Sequence, residues 1–283
     1  MSAMRRPRAA EIIGRATRVG ADEALKTLVH QFADPYAFLR ELIQNALDAA
    51  STEIEVELSH DEAQGLATIA VIDNGEGMNE RVIDEHLLTL FSSTKEDDLT
   101  KIGKFGIGFV SIFAIAPELV VLETGQAGQS WRIIFHADAR YEKLRLPDPV
   151  EGTTIRLFKR VDAEAFAELR RRSLETVRYW CKFAEAKITV DGEAVGQAFA
   201  LELPLSVSYR EPGTELEVGL PELCPEARQA LERGGVVAEP WAESRVGFYN
   251  RGLTLVEGPR SPGGEADLGG LSFRLKSRYL EHT

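Results

Sequence analysis

The segment Ala67–Ile72, with the sequence ATIAVI, constrains the fold most, because it is nearly all apolar and follows a segment that alternates strictly. The apolar run predicts a buried strand, whereas the alternation in Glu53–Leu58, EIEVEL, predicts a strand with one exposed face. The intervening DEAQG is typical of a hairpin loop. The two segments therefore predict a hairpin whose second strand is the more buried.

Segments with helical periodicity precede and follow this hairpin in the sequence. Leu25, Leu28 and Val29 give a short amphipathic stretch, and Asp34-Pro35 offers an N-cap followed by proline for a second helix that runs to about Ala50. The apolar run VSIFAIA predicts a short buried helix, and Ala163–Phe183 predicts a long one. Further strands are expected at Leu119–Glu123, Ser130–Phe135, Thr153–Phe158 and Lys187–Val190.

Composition changes beyond about Gln197. Prolines interrupt the pattern often there, and the strand-like pieces LSVSY, ESRVGFYNRGLTLVEG and LSFRL replace helices. We therefore predict two domains, residues 1–197 and a β-rich domain at 198–283. The chain stops at SRYLEHT without an element that would close a domain, so the second domain is expected to be incomplete.

Charge and cysteine content limit the classes of function. The chain has 283 residues, 44% of them hydrophobic, and 33 basic against 45 acidic side chains give a net charge of −12. This balance disfavours a broad role in coating nucleic acid or an anionic membrane. Cys181 and Cys224 lack zinc-site spacing, and neither a secretory signal nor a membrane span is visible, so a cytoplasmic protein is expected.

Three groups of residues could carry chemistry. On the helix LRELIQNALDAA, Glu41 and Asn45 stand one turn apart on the polar arc, as a carboxylate base and an oxygen ligand for a metal would; a solvated surface helix is the alternative. Asp73 ends the buried strand and precedes Gly75 and Gly77, which permits either a ligand site or a plain turn. The loop GKFGIGF precedes an apolar helix, as in phosphate-binding loops or in a flexible turn.

A fourth piece, Gly152-Thr153-Thr154, opens a strand and is uninformative alone. The four pieces occur in one order, and ELIQNALDAA, VIDNGEGMN, IGKFGIGFVSIFAIA and EGTTIRLFK resemble successive motifs of the gyrase, heat-shock chaperone, histidine-kinase and mismatch-repair (GHKL) ATPase superfamily. The sequence is most similar to the HtpG-type heat-shock chaperones, over roughly residues 22–192. The resemblance implies a Bergerat nucleotide-binding fold, an α/β two-layer sandwich whose mixed sheet is covered by helices on one face.

The resemblance also implies roles at the phosphate end of a bound nucleotide. Glu41 is expected to be the general base that orients or deprotonates the attacking water, and Asn45 to ligate Mg²⁺. Asp48 is expected to line the pocket near the sugar and base. Lid residues that close over the phosphates, and loop residues whose backbone contacts them, are expected to be Ser93, Thr94, Lys95, Gly103, Lys104, Phe105, Gly106, Ile107, Gly108 and Phe109.

At the base end, the resemblance implies that Asp73 accepts the adenine N6 amine. Gly77 and Thr153 would join through ordered water, and Met78 would pack on the purine. ATP or ADP with Mg²⁺, a protein client and a dimer in a longer or ATP-bound form are implied, with slow hydrolysis. Two alternatives remain open: a nucleotide-gated binding module with negligible hydrolysis, and a DNA-repair ATPase, against which the net charge counts.

Overall fold

The computed structural model describes residues 11–16, 34–92, 108–138, 140–220, 229, 232–234, 245–259 and 272–280. The chain forms two compact units. The first contains the described residues as far as Arg178 together with Ala186–Val195, and the second contains Tyr179–Glu185 and the described residues from Gly196 onward. The division into domains at 197/198 concerns independent folding and stays a prediction.

The described strands of the first unit form one sheet in the order β1-β6-β5-β4-β7-β3-β2-β8-β9. Neighbouring strands are antiparallel except for the parallel pair β2 and β8, so the sheet is mixed. The strands are β1 (Glu11–Ala16), β2 (Glu53–Asp61), β3 (Leu66–Asp73), β4 (Leu119–Gln126), β5 (Gln129–His136), β6 (Tyr141–Arg145), β7 (Thr153–Arg160), β8 (Lys187–Val190) and β9 (Glu193–Ala194).

The two faces of this sheet differ in burial. Along β2, Ile54 and Val56 are buried and the glutamates between them are exposed, as the alternation predicts. Cross-strand pairing carries the buried face onto β3, where Val56 lies opposite the buried Val71. His60, on the same face of β2, stacks on Phe166 of the long helix with ring centroids 4.9 Å apart. The predicted α/β architecture with a mixed sheet is confirmed.

Two helices exceed two turns among the described residues: α1 (Ala37–Asp48) and α2 (Ala163–Cys181). The predicted N-cap for α1 was misplaced, since the helix begins after Tyr36 and the Asp34 carboxylate accepts a hydrogen bond from the Tyr36 amide at 3.0 Å. That bond closes a separate turn before the helix. Short helical turns occupy Glu80–Val82, Ile83–Leu87 (a π-helix), Thr89–Ser92 and Ser111–Ile115 (a 3₁₀-helix).

The predicted short buried helix in VSIFAIA corresponds to the 3₁₀-helix, whose residues Ser111, Ile112, Phe113 and Ile115 are buried. The amphipathic stretch of Leu25, Leu28 and Val29 lies outside the described residues. Strands β1 and β6 were not predicted. Within the described part of the chain, no helix combines the length and the apolar character that crossing a bilayer requires.

The second unit contains a five-stranded sheet in the order β10-β11-β14-β12-β13. The strand-like pieces predict four of these strands, and β11 was not predicted. Its strands are β10 (Leu205–Glu211), β11 (Thr214–Leu220), β12 (Arg245–Asn250), β13 (Leu253–Pro259) and β14 (Ser272–Ser277). Strands β12 and β14 are parallel and the other neighbours antiparallel. Phe183, Phe199 and Tyr249 form a buried aromatic cluster with ring centroids 4.9 to 5.7 Å apart.

Neighbouring isoleucines on β5 test whether one face of the first sheet carries the core. Ile133 is 0% exposed and Ile134, on the opposite face, is half-buried. We expect Ile133→Ala to lower the free energy of unfolding by about 2 to 5 kcal/mol, because it leaves a cavity in the core. Ile134→Ala should lower it by less than half as much. Urea unfolding of both variants is the measurement, and equal losses would contradict the two-face description.

Candidate functional site

The polar side of α1 is only partly open to solvent. Phe38, Leu42 and Ile43 are among the residues that bury its apolar side. On the other side, Glu41 and Asn45 are half-buried and Asp48, about two turns beyond Glu41, is exposed. These half-buried polar residues of α1, which we name the stripe, therefore do not form a simple solvated face. That face was the alternative that the sequence left open.

Glu41 lies against Gly108, the last glycine of the loop GKFGIGF. A Cβ atom at residue 108 would stand 2.9 Å from Oε2 of Glu41, so any other residue there would require the carboxylate to shift. Burial raises the pKa of Glu41 above its ordinary value, and the Arg40 guanidinium opposes that shift more weakly. A carboxylate held partly out of water is a stronger base than a solvated one, which suits proton abstraction or orientation of a water molecule.

Asp73 ends β3 on the buried face of the sheet. Its Oδ1 atom accepts hydrogen bonds from the Ser51 hydroxyl at 3.0 Å and the Gly75 amide at 2.9 Å. Burial raises the pKa of Asp73, and the hydrogen bonds from Gly75, Ser51 and Thr153 oppose the shift. A carboxylate has about four acceptor positions, so these three contacts leave it able to accept from a further donor.

Two threonines extend this end of the sheet. Thr153 on β7 lies opposite Asp73 and also opposite Thr124 on β4, so the three residues form a row across adjacent strands. The hydroxyl oxygens of Thr124 and Thr153 are 3.0 Å apart, and that of Thr124 accepts the Met78 amide at 2.9 Å. Met78 is thereby held beside the row, with 7% of its surface exposed.

Glycines near Asp73 are required by the protein's own packing. Gly77 and Gly152 have φ of +67° and +69°, in the left-handed region. A Cβ at Gly77 would collide with the Gly125 carbonyl oxygen, and one at Gly152 with that of Asp73. At Gly75 it would stand 2.5 Å from the Ser51 hydroxyl. Close approach of backbone and side-chain atoms, more than space for a ligand ring, therefore accounts for Gly75 and Gly77 after Asp73.

The two carboxylates lie toward opposite ends of α1, and both belong to the candidate site. Asp73 bonds to Ser51 just beyond the C-terminal end of the helix, whereas Glu41 stands near its first turn beside Gly108. From residue 41 to residue 49 an α-helix rises about 12 Å. The half-buried stripe of α1 runs between them and includes Asn45. This length suits an elongated ligand whose two ends differ in chemistry.

Part of the predicted site lies outside the described residues, namely Ser93, Thr94, Lys95, Gly103, Lys104, Phe105, Gly106 and Ile107. Gly108 and Phe109 are described, and the Phe109 ring is buried 5.2 Å from that of Phe135. Sequence reasoning missed Ser51 and Thr124. Ser51 directly follows the helix motif and could have been found there, but Thr124 becomes visible only through strand register.

Over the described ranges, no group of three or more His, Cys, Asp or Glu side chains is placed to hold a metal ion.

Residues 36–165 match the family model described as histidine kinase-, DNA gyrase B-, and HSP90-like ATPase. The match contains both carboxylates, Glu41 and Asp73, and the row of threonines. The match confirms, for these residues, the resemblance carried by the four motifs.

Among curated proteins, similarity is found to chaperone protein HtpG of several bacteria. The sequence is 31% identical to that of Actinobacillus pleuropneumoniae over 183 residues, 54% of this chain and 29% of that protein. It is 29% identical to that of Helicobacter hepaticus over 209 residues, 60% of this chain and 33% of that protein. The chain therefore matches about a third or less of the length of these relatives.

The raised pKa of Glu41 predicts that its charge destabilises the fold at neutral pH. Because the pKa in the folded state lies above the unfolded value, this cost is present above the folded pKa and vanishes as pH falls below the unfolded one. We expect Glu41→Gln to be more stable than wild type near neutrality, with a difference that shrinks on acidification. Urea unfolding across pH measures it.

Glu55→Gln, on an exposed position of β2, is the control for loss of a negative charge. A stability difference for Glu41→Gln that stayed constant across pH would contradict the assigned burial of the carboxylate.

Proposed function

We propose that the first unit binds ATP with Mg²⁺ and hydrolyses it, and that nucleotide state controls engagement of a protein partner in the manner of a chaperone. One observation supports this most: two half-buried carboxylates stand at opposite ends of a stripe along α1, one beside a glycine loop and one at the end of a buried strand. The ATPase family of residues 36–165 agrees with this arrangement.

At the base end, Asp73 would accept the exocyclic amine of adenine, since its carboxylate faces the buried side of the sheet and retains acceptor capacity. The Thr153 hydroxyl and Gly77 would join through water. Met78, fixed by its amide bond to Thr124, would offer a flat apolar contact to the purine, and Asp48 would stand near the sugar.

At the phosphate end, Glu41 would orient the attacking water and accept its proton, helped by burial that raises its basicity. Asn45 fits an Mg²⁺ site, because its side chain offers an amide oxygen one turn from Glu41 on the half-buried stripe. When bound, the ion would neutralise phosphate charge. Backbone amides of residues 103–109 would contact the β- and γ-phosphates, and residues 93–95 would lie in the lid.

The partner and the cellular setting extend this proposal. Relatives are named as chaperones, so a protein client is proposed for this chain, in the cytoplasm, with a dimer in the ATP-bound form. Hydrolysis is expected to be slow, because lid closure and domain movements limit turnover in many enzymes that enclose their substrate.

Replacement of Glu41 separates binding from hydrolysis. We expect Glu41→Ala to keep its affinity for ATP and to lose phosphate release by at least about a hundredfold, because the general base is absent. Calorimetric titration and a phosphate-release assay measure the two effects, with Glu55→Ala as the control. ATP binding by wild type without phosphate release would instead identify a nucleotide-gated binding module.

Replacement of Asp73 tests adenine recognition. We expect Asp73→Asn to weaken ATP binding by about tenfold or more, because a charge-assisted hydrogen bond is lost and an amide donor is introduced toward the adenine amine. The exposed Asp61→Asn serves as the control. An unchanged dissociation constant in a folded Asp73→Asn protein would show that the base binds elsewhere.

A further inference from the structure

Lys143 is a buried lysine that the proposed function does not use. It lies on β6, 5% exposed, on the same side of the sheet as the buried core residues Ile133 and Phe135 of β5. A lone ammonium is expensive to bury, so such groups persist where they are paired and hydrogen-bonded. The contacts of Lys143 should therefore show what its charge holds in place.

Its partners belong to the helical segment Glu80–Ser92, which we name the connecting segment. The Lys143 ammonium donates to Glu80 at 3.0 Å and to both carboxylate oxygens of Asp84 at 2.8 and 2.9 Å. It also stands 4.6 Å from the centre of the Trp131 ring. The two carboxylates are about half exposed, so the lysine is the buried member of the cluster.

The connecting segment joins the two ends of the site. It begins two residues after Met78 at the base end. Between them, the Asn79 side chain accepts the Val82 amide at 3.0 Å and donates to Gln126 at 2.7 Å. Near its other end, the Phe91 ring packs 6.3 Å from Phe109, the residue after the glycine that meets Glu41.

Lys143 contacts the connecting segment where its α-helical turn is followed by a π-helix. Glu80 lies in the α-helical turn and Asp84 in the π-helix Ile83–Leu87 that follows. The wide turn is closed by the Leu88 amide on the Ile83 carbonyl at 2.8 Å. π-turns are rare and often lie at functional sites. Here Lys143 is bonded on both sides of the change from α-helix to π-helix.

We propose that Lys143 is a positioning residue, which through Glu80 and Asp84 fixes the connecting segment and thereby, through the contact of Phe91 with Phe109, the placement of Gly108 beside Glu41. This inference rests on the proposed function. The base end keeps its own bonds to Thr124 and Gln126 when the lysine is removed, so the effect falls on the phosphate end.

The test compares adenosine, which reaches only the base end, with ATP. In Lys143→Met we expect adenosine affinity within about twofold of wild type, whereas ATP affinity and kcat fall at least about tenfold through misplacement. Lys143→Arg should restore part of the ATP affinity, because a cation again meets both carboxylates. Lys187→Met, an exposed lysine paired with Glu53, is the matched control.

Variants of the two carboxylates test the same pairs without a change at Lys143 itself. Glu80→Gln combined with Asp84→Asn removes the same pairs from half-exposed positions and should give the same selective loss of ATP affinity. Adding Lys143→Met to it should cause little further loss, because the interaction is already absent.

The outcomes separate the two proposals. Equal weakening of adenosine and ATP, or no change in either, would overturn the positioning role while leaving nucleotide binding intact. If wild type bound neither ligand in magnesium buffer, the proposed function would be wrong, and the positioning role would fall with it.

Discussion

A carboxylate held away from bulk water at the end of β3 is the constraint on which one end of the first unit depends. Burying the charge of Asp73 is unfavourable unless donors replace its hydration, and Ser51, Gly75 and Thr153 supply them. To deliver these donors, the chain must end α1 near the sheet and bring β7 alongside β3. It must also pass backbones so close that glycine is required at 152. Sequence features that look like separate turns thus act together to supply the donors that Asp73 requires.

The same demand recurs at Glu41 with less compensation. Burial raises the pKa of its carboxyl, and the charge of Arg40 opposes this shift more weakly. The fold therefore contains an ionised group that is unfavourable for its stability. Sites where a chain departs from the usual rule of polar residues outside are where function is expected. An amphipathic helix normally turns its polar side to water, and the stripe of α1 is half-buried instead. That departure, more than any single motif, favours a candidate ligand site over a solvated surface helix.

Periodicity predicted most elements of the first unit, because burial on one face imposes alternation on strands and a longer repeat on helices. Strand β6 escaped detection since its inward position is held by Lys143, a charged residue that hides the pattern. Thr124 escaped because its partners, Thr153 and Met78, lie 29 and 46 residues away in sequence. The start of α1 was misplaced because the Asp34 side chain closes a turn before the helix begins. The local sequence pattern thus predicted the elements and the motifs. The contacts between motifs could not be predicted, because they depend on how strands distant in sequence are aligned.

The chain passes between the two compact units three times, after Arg178, after Glu185 and after Val195. The end of α2 and the turn that follows it therefore belong to the second unit, where Phe183 meets Phe199 and Tyr249 edge to face. No single cut divides such an interlaced chain cleanly. A fragment ending at Gln197 would retain Phe183 without either aromatic partner. The Phe183 ring, which is buried in the intact chain, would then be exposed to solvent.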